Sequence, residues 1–464
     1  MDPIWTSLVL TSLDYPGGGP LPICRGLYWP EALPMDVSLG IYVFLSNSDN
    51  ELQLPGYSHV SPEGSTSNPG SAYNIPVNFT RSEIVARLNV CSRGDKSLLT
   101  LQVLIDRFSE SLAMDPRDGI FALLPLASDI DHSHPKWFPD YSSSKPVMDI
   151  FEEAFWHIVR TTRSLDIMCR SMPERNLDDT HCTWIPWFGG SKIEAGSQNI
   201  LARYNSRSLT NFGEYAWLFP DEKTYCASGR GSQPFARRMV PEHTGKDNGK
   251  GPASWVESKA RLLYLRGWVV DEVKVVGPPL ARKLVNGQEK TVIPYSWIRM
   301  LGLQPPQDLD KVPDAFCRSI TGNRITKVTA TSIHAERAPE SWPEAVRDFM
   351  RLMMPGSRTT KDRLLMKEVG GALEFMGSSN RRFAITESSM GFVPFDAEPG
   401  DKICILDGVS VPVVLREIDL DDAGVSTMVP YRFVGECYVD GYMEGEYVEE
   451  VEEHQPPKQL FLLF

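Results

Sequence analysis

Several groups of residues have types and spacings that could do chemistry. Asp115, Arg117 and Asp118 stand together in Asp115-Pro116-Arg117-Asp118. The planar guanidinium of Arg117 could reach a partner carboxylate or a phosphate, or close a structural ion pair. His132-Ser133-His134 with Asp129 and Asp131 offers imidazole and carboxylate, a donor set that suits zinc. No third cluster stands at useful spacing, so a connecting loop is expected there. His181-Cys182 pairs a base with a thiol, but adjacent residues rarely face one another, and a helper base would have to come from elsewhere. Gly245-Lys246-Asp247-Asn248-Gly249-Lys250 is one residue short of a phosphate loop, and no Ser or Thr follows Lys250. Glu436 lies inside the apolar run Val434–Tyr438, where it should pair with Arg416 or Arg432 or turn to solvent by alternation. Cys404 and Cys437 alternate with β-type residues and read as buried small apolar side chains. There is no Gly-x-Ser-x-Gly, His-Glu-x-x-His or Gly-x-Gly-x-x-Gly motif. No catalytic residue, metal site or cofactor is therefore expected, and the chain reads as a non-enzyme.

The elements that must position these residues follow from period and punctuation. Leu98, Leu101, Leu104, Ile105 and Phe108 make one face of an amphipathic helix. Asp115 suits a helix N-cap and Pro116 the first helical position, with Asp118 favoured by the positive helix end. Gly119 weakens that helix by roughly 1 kcal/mol relative to Ala. After Pro139-Asp140-Tyr141-Ser142, a helix led by Ser144 and Pro146 presents Val147, Ile150, Phe151, Ala154 and Ile158 on one side and should run to about Arg163. Trp184 and Trp187 flank Pro186 in a packed extended segment and should anchor the core. Leu262–Val276 reads as strands, and Ser341 with Glu344 as a capping box. From Arg381 the period becomes β, with turns at Pro399-Gly400-Asp401 and Asp407-Gly408.

The fold class is α+β, a helical middle region followed by a mostly antiparallel β C-terminal domain. The divisions are a poorly structured segment and linker over 1–80, a mainly helical region over 81–225, a flexible loop over 226–254, a mixed α/β region over 255–380, a small β domain over 381–448, and an acidic tail with an apolar end over 449–464. The last residues, Leu460–Phe464, should dock back on the core.

Charge narrows the partners. The 464 residues carry 47 Lys and Arg against 60 Asp and Glu, a net charge of −13. The stretch Asp396–Glu453 holds 16 of those acids and 3 bases, so the rest of the chain is nearly neutral. Nucleic acid and anionic membrane are disfavoured as partners. No apolar run is long enough to span a bilayer, and the N-terminus lacks the basic and apolar segments of a secretory signal. Eight scattered Cys without a Cys-x-x-Cys pair fit reduced thiols in a cytosolic or nuclear protein, and a cytoplasmic location is expected. The run Glu444, Glu446, Glu449, Glu450, Glu452 and Glu453 would be the contact of a basic protein partner.

A family resemblance gathers the motifs. Asp115–Asp118 followed by Ile120–Leu124, then Pro139–Ser142, Leu165–Ile167 and Trp184–Pro186 resemble the middle region of fungal heterokaryon incompatibility (HET domain) proteins. Pro399–Cys404, Val411–Arg416, Tyr431–Val439, Gly441 and Met443–Glu446 resemble that family's C-terminal pattern. The likeness covers about residues 84–450. Gly119 departs from a usual Lys and Asp440 from a frequent His. The family's N-terminal, Toll-like domain, with its aromatic-Trp-Gly and Trp-Val-Asp-Ala-Ile-Cys-Ile-Asn-Gln type motifs, is not found, and 1–80 reads as too short and loop-like for it. The resemblance implies a role in fungal non-self recognition, its regulation or the cell death that it triggers, exercised through an unidentified protein partner. Two alternatives stand: part of a longer cell-death effector whose missing domain cleaves NAD, or an accessory protein of a fungal gene cluster. The motif residues, as structural or binding elements, are Asp115, Arg117, Asp118, Asp140, Tyr141, Trp184, Gly400, Asp401, Gly435 and Glu436.

Overall fold

The chain divides into two units, Met1–Val147 with Phe188–Lys192, and Met148–Trp187 with Ile193–Phe464. The computed structural model describes residues 99–108, 113–170, 182–189, 201, 208–210, 225–239, 261–285, 288–328, 332–353, 368–373, 376, 381–418, 429–454 and 457–464. The expectations for 1–80, His181 and Gly245–Lys250 fall outside them. No helix among the described residues is long and apolar enough to cross a membrane.

In the first unit, α1 (Leu101–Arg107) forms where the apolar period placed it, with Leu101, Leu104 and Ile105 buried. Thr100 caps it, its hydroxyl accepting the Val103 N–H at 3.4 Å. Asp129, weighed as a metal ligand, accepts the Leu101 N–H at 2.7 Å and so serves the helix start. The next helix, α2 (Asp118–Phe121), buries Ile120 and Phe121.

The second unit holds α3 (Val147–Thr162) from its second residue on. Ile150, Phe151, Ala154, Phe155 and Ile158 form its buried face, and Arg163 ends it in the left-handed region at φ 52°. The fully buried Trp184 meets Phe155 edge-on at 5.0 Å and donates its indole N–H to the Arg261 carbonyl at 2.9 Å. In chain order the strands are β1 (Ser208–Thr210), β2 (Ala236–Met239), β3 (Leu262–Pro279), β4 (Ala281–Val285), β5 (Gln288–Val292), β6 (Arg324–Val328), β7 (Ser332–Arg337), β8 (Arg381–Thr386), β9 (Met390–Pro394), β10 (Lys402–Leu406), β11 (Val413–Glu417), β12 (Pro430–Glu436), β13 (Tyr438–Val439) and β14 (Gln459–Leu463). Further helices are α4 (Tyr295–Met300), α5 (Asp314–Thr321), α6 (Trp342–Leu352) and α7 (Glu446–His454), and residues 368–373 are also helical.

The segment read as several strands is one 18-residue strand, β3. Its length lets it serve two sheets. Its first half pairs with β14 and β2, its middle with β10, and its last part with β8. The ring β3–β10–β11–β12–β14–β3 closes a five-stranded barrel. Closure leaves no free edge within the ring. The second sheet runs β3–β8–β9–β13. Val273, Val393, Ile403, Val414, Cys437 and Val439 share one core cluster between these strands.

Four of the five ring pairings are antiparallel, but β12 and β14 run parallel. A parallel pair needs a crossover connection, and α7 lies in it. The segment 449–464, set apart in the sequence as an acidic tail, thus supplies most of the crossover helix and the barrel's closing strand. Val451 packs against Trp268 and Ile405, while Glu446, Glu449 and Glu450 stay exposed. The loop expected over 226–254 contains β2 in its described part.

The capping box at α6 does not form. Ser341 has helical rather than extended dihedrals and makes no side-chain cap bond, and Glu344 binds Arg347 and Arg351, each at 3.1 Å. The α+β expectation, with a mostly antiparallel C-terminal region, describes what is seen.

Candidate functional site

The two motif segments of the first unit meet. The Asp115 carboxylate accepts the Arg117 N–H at 3.0 Å, its Nε at 2.9 Å and its Nη2 at 2.7 Å. Asp115 and Pro116 do not take the N-cap and first helical positions expected of them: the Asp115 carboxylate holds Arg117 instead, Arg117 is the N-cap position without a side-chain cap bond, and the helix starts at Asp118. The turns before it close through three-residue steps, from the Asp118 N–H to the Asp115 carbonyl and from Gly119 to Pro116. Arg117 Nη1 donates to the carbonyls of Ser142 at 3.1 Å and Lys145 at 3.4 Å, and the guanidinium lies 5.3 Å from the Tyr141 ring centroid. Tyr141 donates its hydroxyl to Asp118 at 2.5 Å and sets its ring edge against Phe121. Asp140 accepts the Ser142 N–H at 2.9 Å and shapes the turn that presents Tyr141.

Electrostatics follow this geometry. The hydrogen bond from Arg117 holds the Asp115 carboxyl below its ordinary range. Burial pushes Asp118 up against the lowering effect of the Tyr141 bond, and burial also raises the Tyr141 phenol. Ser142 holds Asp140 down. These five residues tie two chain segments into one brace, with the Arg117 fork bound to acceptors of its own unit. Gly119 belongs to the same packing. A Cβ there would lie 1.9 Å from the Phe188 carbonyl oxygen, and one at Gly189 would lie 2.6 Å from the Pro116 Cβ.

The barrel motifs form a second set of braces. Gly400, at φ 98°, donates its N–H to the Val273 carbonyl at 2.8 Å. The buried Asp401 receives Arg416 Nε at 2.7 Å, Arg416 Nη2 at 2.9 Å and the Glu398 N–H at 2.8 Å. This ties the turn before β10 to β11. Gly435 sits at φ 148°, where a Cβ would press on Pro394 at 2.8 Å. Glu436 is buried and pairs with Arg381, and it accepts the Leu201 N–H. The expected partners Arg416 and Arg432 are thereby corrected. Arg416 is held by Asp401, and β8 of the second sheet brings Arg381 to Glu436 from 55 positions away.

Sequence reasoning missed other buried carboxylates. Asp271 accepts the Thr386 hydroxyl at 2.7 Å and the Glu387 N–H at 2.9 Å. Asp407 takes Arg266 and Lys458, each at 2.6 Å, and Glu152 takes Arg238 and Arg261, each at 2.8 Å. The available signal was an acid inside an apolar run, as at Val270-Asp271.

A cavity of about 540 Å³ opens beside the barrel, lined among others by Tyr225, Arg318, Arg337, Tyr438, Asp440 and Glu444. Arg318 grips Asp440 with Nε and Nη2, each at 2.7 Å. This bidentate pair occupies the position where the resembled family often has His. Arg337 meets Glu444 at 2.5 Å, and burial raises the Glu444 carboxyl. Tyr225 donates to the Gly322 carbonyl at 2.5 Å. The walls are therefore polar and charged, suited to a small polar group. Among the described residues no group of three or more His, Cys, Asp or Glu could hold a metal ion. The described cysteines, Cys169, Cys182, Cys226, Cys317, Cys404 and Cys437, are buried, and burial raises every one of their thiols.

Comparison with protein families matches residues 359–462 to the Het-6 beta-barrel domain. The match relates the C-terminal region to heterokaryon incompatibility proteins, and it spans strands β8–β13, α7 and most of β14. Neither the curated proteins nor the solved structures give a match.

Proposed function

We propose that the chain is a non-enzymatic, cytoplasmic protein of the heterokaryon incompatibility type, acting through protein contacts in fungal non-self recognition or its regulation. The observation that carries this proposal is the match of 359–462 to the Het-6 beta-barrel domain, on strands that close with β3 into a barrel. The motif residues support it by their use. Asp115, Arg117, Asp118, Tyr141, Asp401 and Glu436 spend their polar atoms on bonds within their own units. A recognition protein needs such a rigid frame under a variable surface. The buried thiols and the raised Tyr141 phenol are poor nucleophiles at neutral pH.

Two measurements test the proposal. Purified chain incubated with NAD should leave the NAD concentration unchanged over hours. Expressed alone in a filamentous fungus it should cause no death, while its expression should alter the death reaction between incompatible strains. Steady loss of NAD, or death on expression alone, would replace the proposal with an effector enzyme.

A further inference from the structure

A positively charged face lies on the outside of this acidic protein's barrel, where β2, β3 and the start of β14 come together. Arg237 on β2 and Arg266 on β3 place their guanidinium carbons 5.5 Å and 4.8 Å from the centroid of the same Phe235 ring. Lys458 lies 4.3 Å from the centroid of Trp268. Arg266 and Lys458 share the buried Asp407. Two cations thus share one carboxylate and the third stands by the same ring as Arg266; the carboxylate is 2 % exposed while Arg266 and Lys458 are 43 % and 33 % exposed. Arg237 is exposed and has no ion-pair partner among the described residues. Leu460, the register partner of Arg266, adds an apolar side chain that is 47 % exposed.

We infer that this face docks an acidic segment of a partner protein. Charge complementarity selects the occupant. Arg237, Arg266 and Lys458 against the one carboxylate of Asp407 leave a local excess of positive charge, although the chain as a whole is −13. Guanidinium forks recognise carboxylates through paired N–H donors, and Arg237 has its fork available. The same geometry disfavours a nucleic acid. Single strands bind by stacking bases on open aromatic faces, but here Arg237 and Arg266 sit by Phe235 and Lys458 by Trp268. Fixing the cations against rings also lowers the side-chain entropy that a partner's binding would otherwise cost.

The inference extends the protein-contact proposal, and its assay reads the surface directly, so either can fail without the other. A fluorescent oligoglutamate peptide is titrated with the full chain, followed by anisotropy at low salt. Arg237→Glu should weaken binding about fivefold, an attraction exchanged for a comparable repulsion. Arg299→Glu, the same charge change at an exposed site on α4, should leave binding unchanged. Near-UV circular dichroism checks that both variants keep the fold. Equal losses in both variants would reduce the effect to net charge and overturn the inference. So would no binding of the peptide by the parent chain, or tighter binding of an oligothymidine of matched charge.

Discussion

Replacing Gly119 by Ala sets two physical effects against one another. By helix propensity alone the change should stabilise α2 by about 1 kcal/mol. The structure reverses the sign. The added methyl carbon would lie 1.9 Å from the Phe188 carbonyl oxygen and 2.7 Å from its carbon. A flexible side chain could step aside, but a backbone carbonyl moves only with its chain. Overpacking of this kind costs about 1–3 kcal/mol. At the upper end of that range, about 2 kcal/mol net is lost, an opening roughly 30-fold more frequent. Hydrogen exchange read by mass spectrometry over peptides 113–124 should accelerate by about tenfold or more, while a barrel peptide over 402–416 stays unchanged. Gly371→Ala is the control, since nothing lies within 4 Å of a Cβ there and only propensity acts. It should be neutral or stabilising. Gly119→Lys carries the same Cβ and should behave like Gly119→Ala. Exchange unchanged or slowed in Gly119→Ala would refute the packing argument and restore Gly119 to a mere weak point of the helix.

Removing one member of the buried Glu436–Arg381 pair should be severe. Arg381→Met leaves an unpaired buried carboxylate and should cost about 3–5 kcal/mol in a denaturant titration, with much of the loss recovered in the double variant that also carries Glu436→Met. Asp440→His breaks the bidentate grip of Arg318 and should cost about 1.5–3 kcal/mol, measured by guanidinium unfolding against the parent. Phe461→Ala hollows the closing strand at a fully buried site and should cost about 3–5 kcal/mol, with loss of near-UV circular dichroism on mild heating. Hydrogen bonds from Lys274 and then Lys402 lower Glu272 from 4.5 to about 2. The folded value lies below the unfolded one, so its stabilisation is present above about pH 4.5 and fades as pH falls towards 2. A carboxyl NMR titration should show that midpoint rising in Lys402→Ala.

The sequence made some elements legible because their signals are local. Helix α1 and the buried face of α3 follow from apolar spacing, and the turn at Gly400 from Pro-Gly-Asp. Asp115 and Asp118 were recognisable as residues at a helix start for the same reason. Their union with Tyr141 was not legible, because the Asp118–Tyr141 bond spans 23 positions and nothing local demands it. Glu436 shows the limit most clearly. Reasoning from neighbours offered Arg416 and Arg432, whereas the second sheet supplied Arg381 from β8. Gly119 shows the converse, where a local rule gave a sign that packing with Phe188 reverses.

The acidic stretch is where topology changes the argument most. Counted along the chain, Asp396–Glu453 is a block of like charge, which its β strands must carry into the fold. Folded, its acids meet cations that the sequence places elsewhere. Asp407 receives Arg266 and Lys458, Glu436 receives Arg381, Asp440 receives Arg318, and Glu444 receives Arg337. Every one of those cations lies outside the block. Five outside cations thus offset part of the charge excess, and an exposed remainder is the outer face of α7, with Glu446, Glu449 and Glu450. That helix is acidic outside and apolar inside because it must both cross between the parallel strands β12 and β14 and cover Trp268 and Ile405. A charge count along the sequence measures composition, whereas a partner meets only the charges that the fold leaves unpaired.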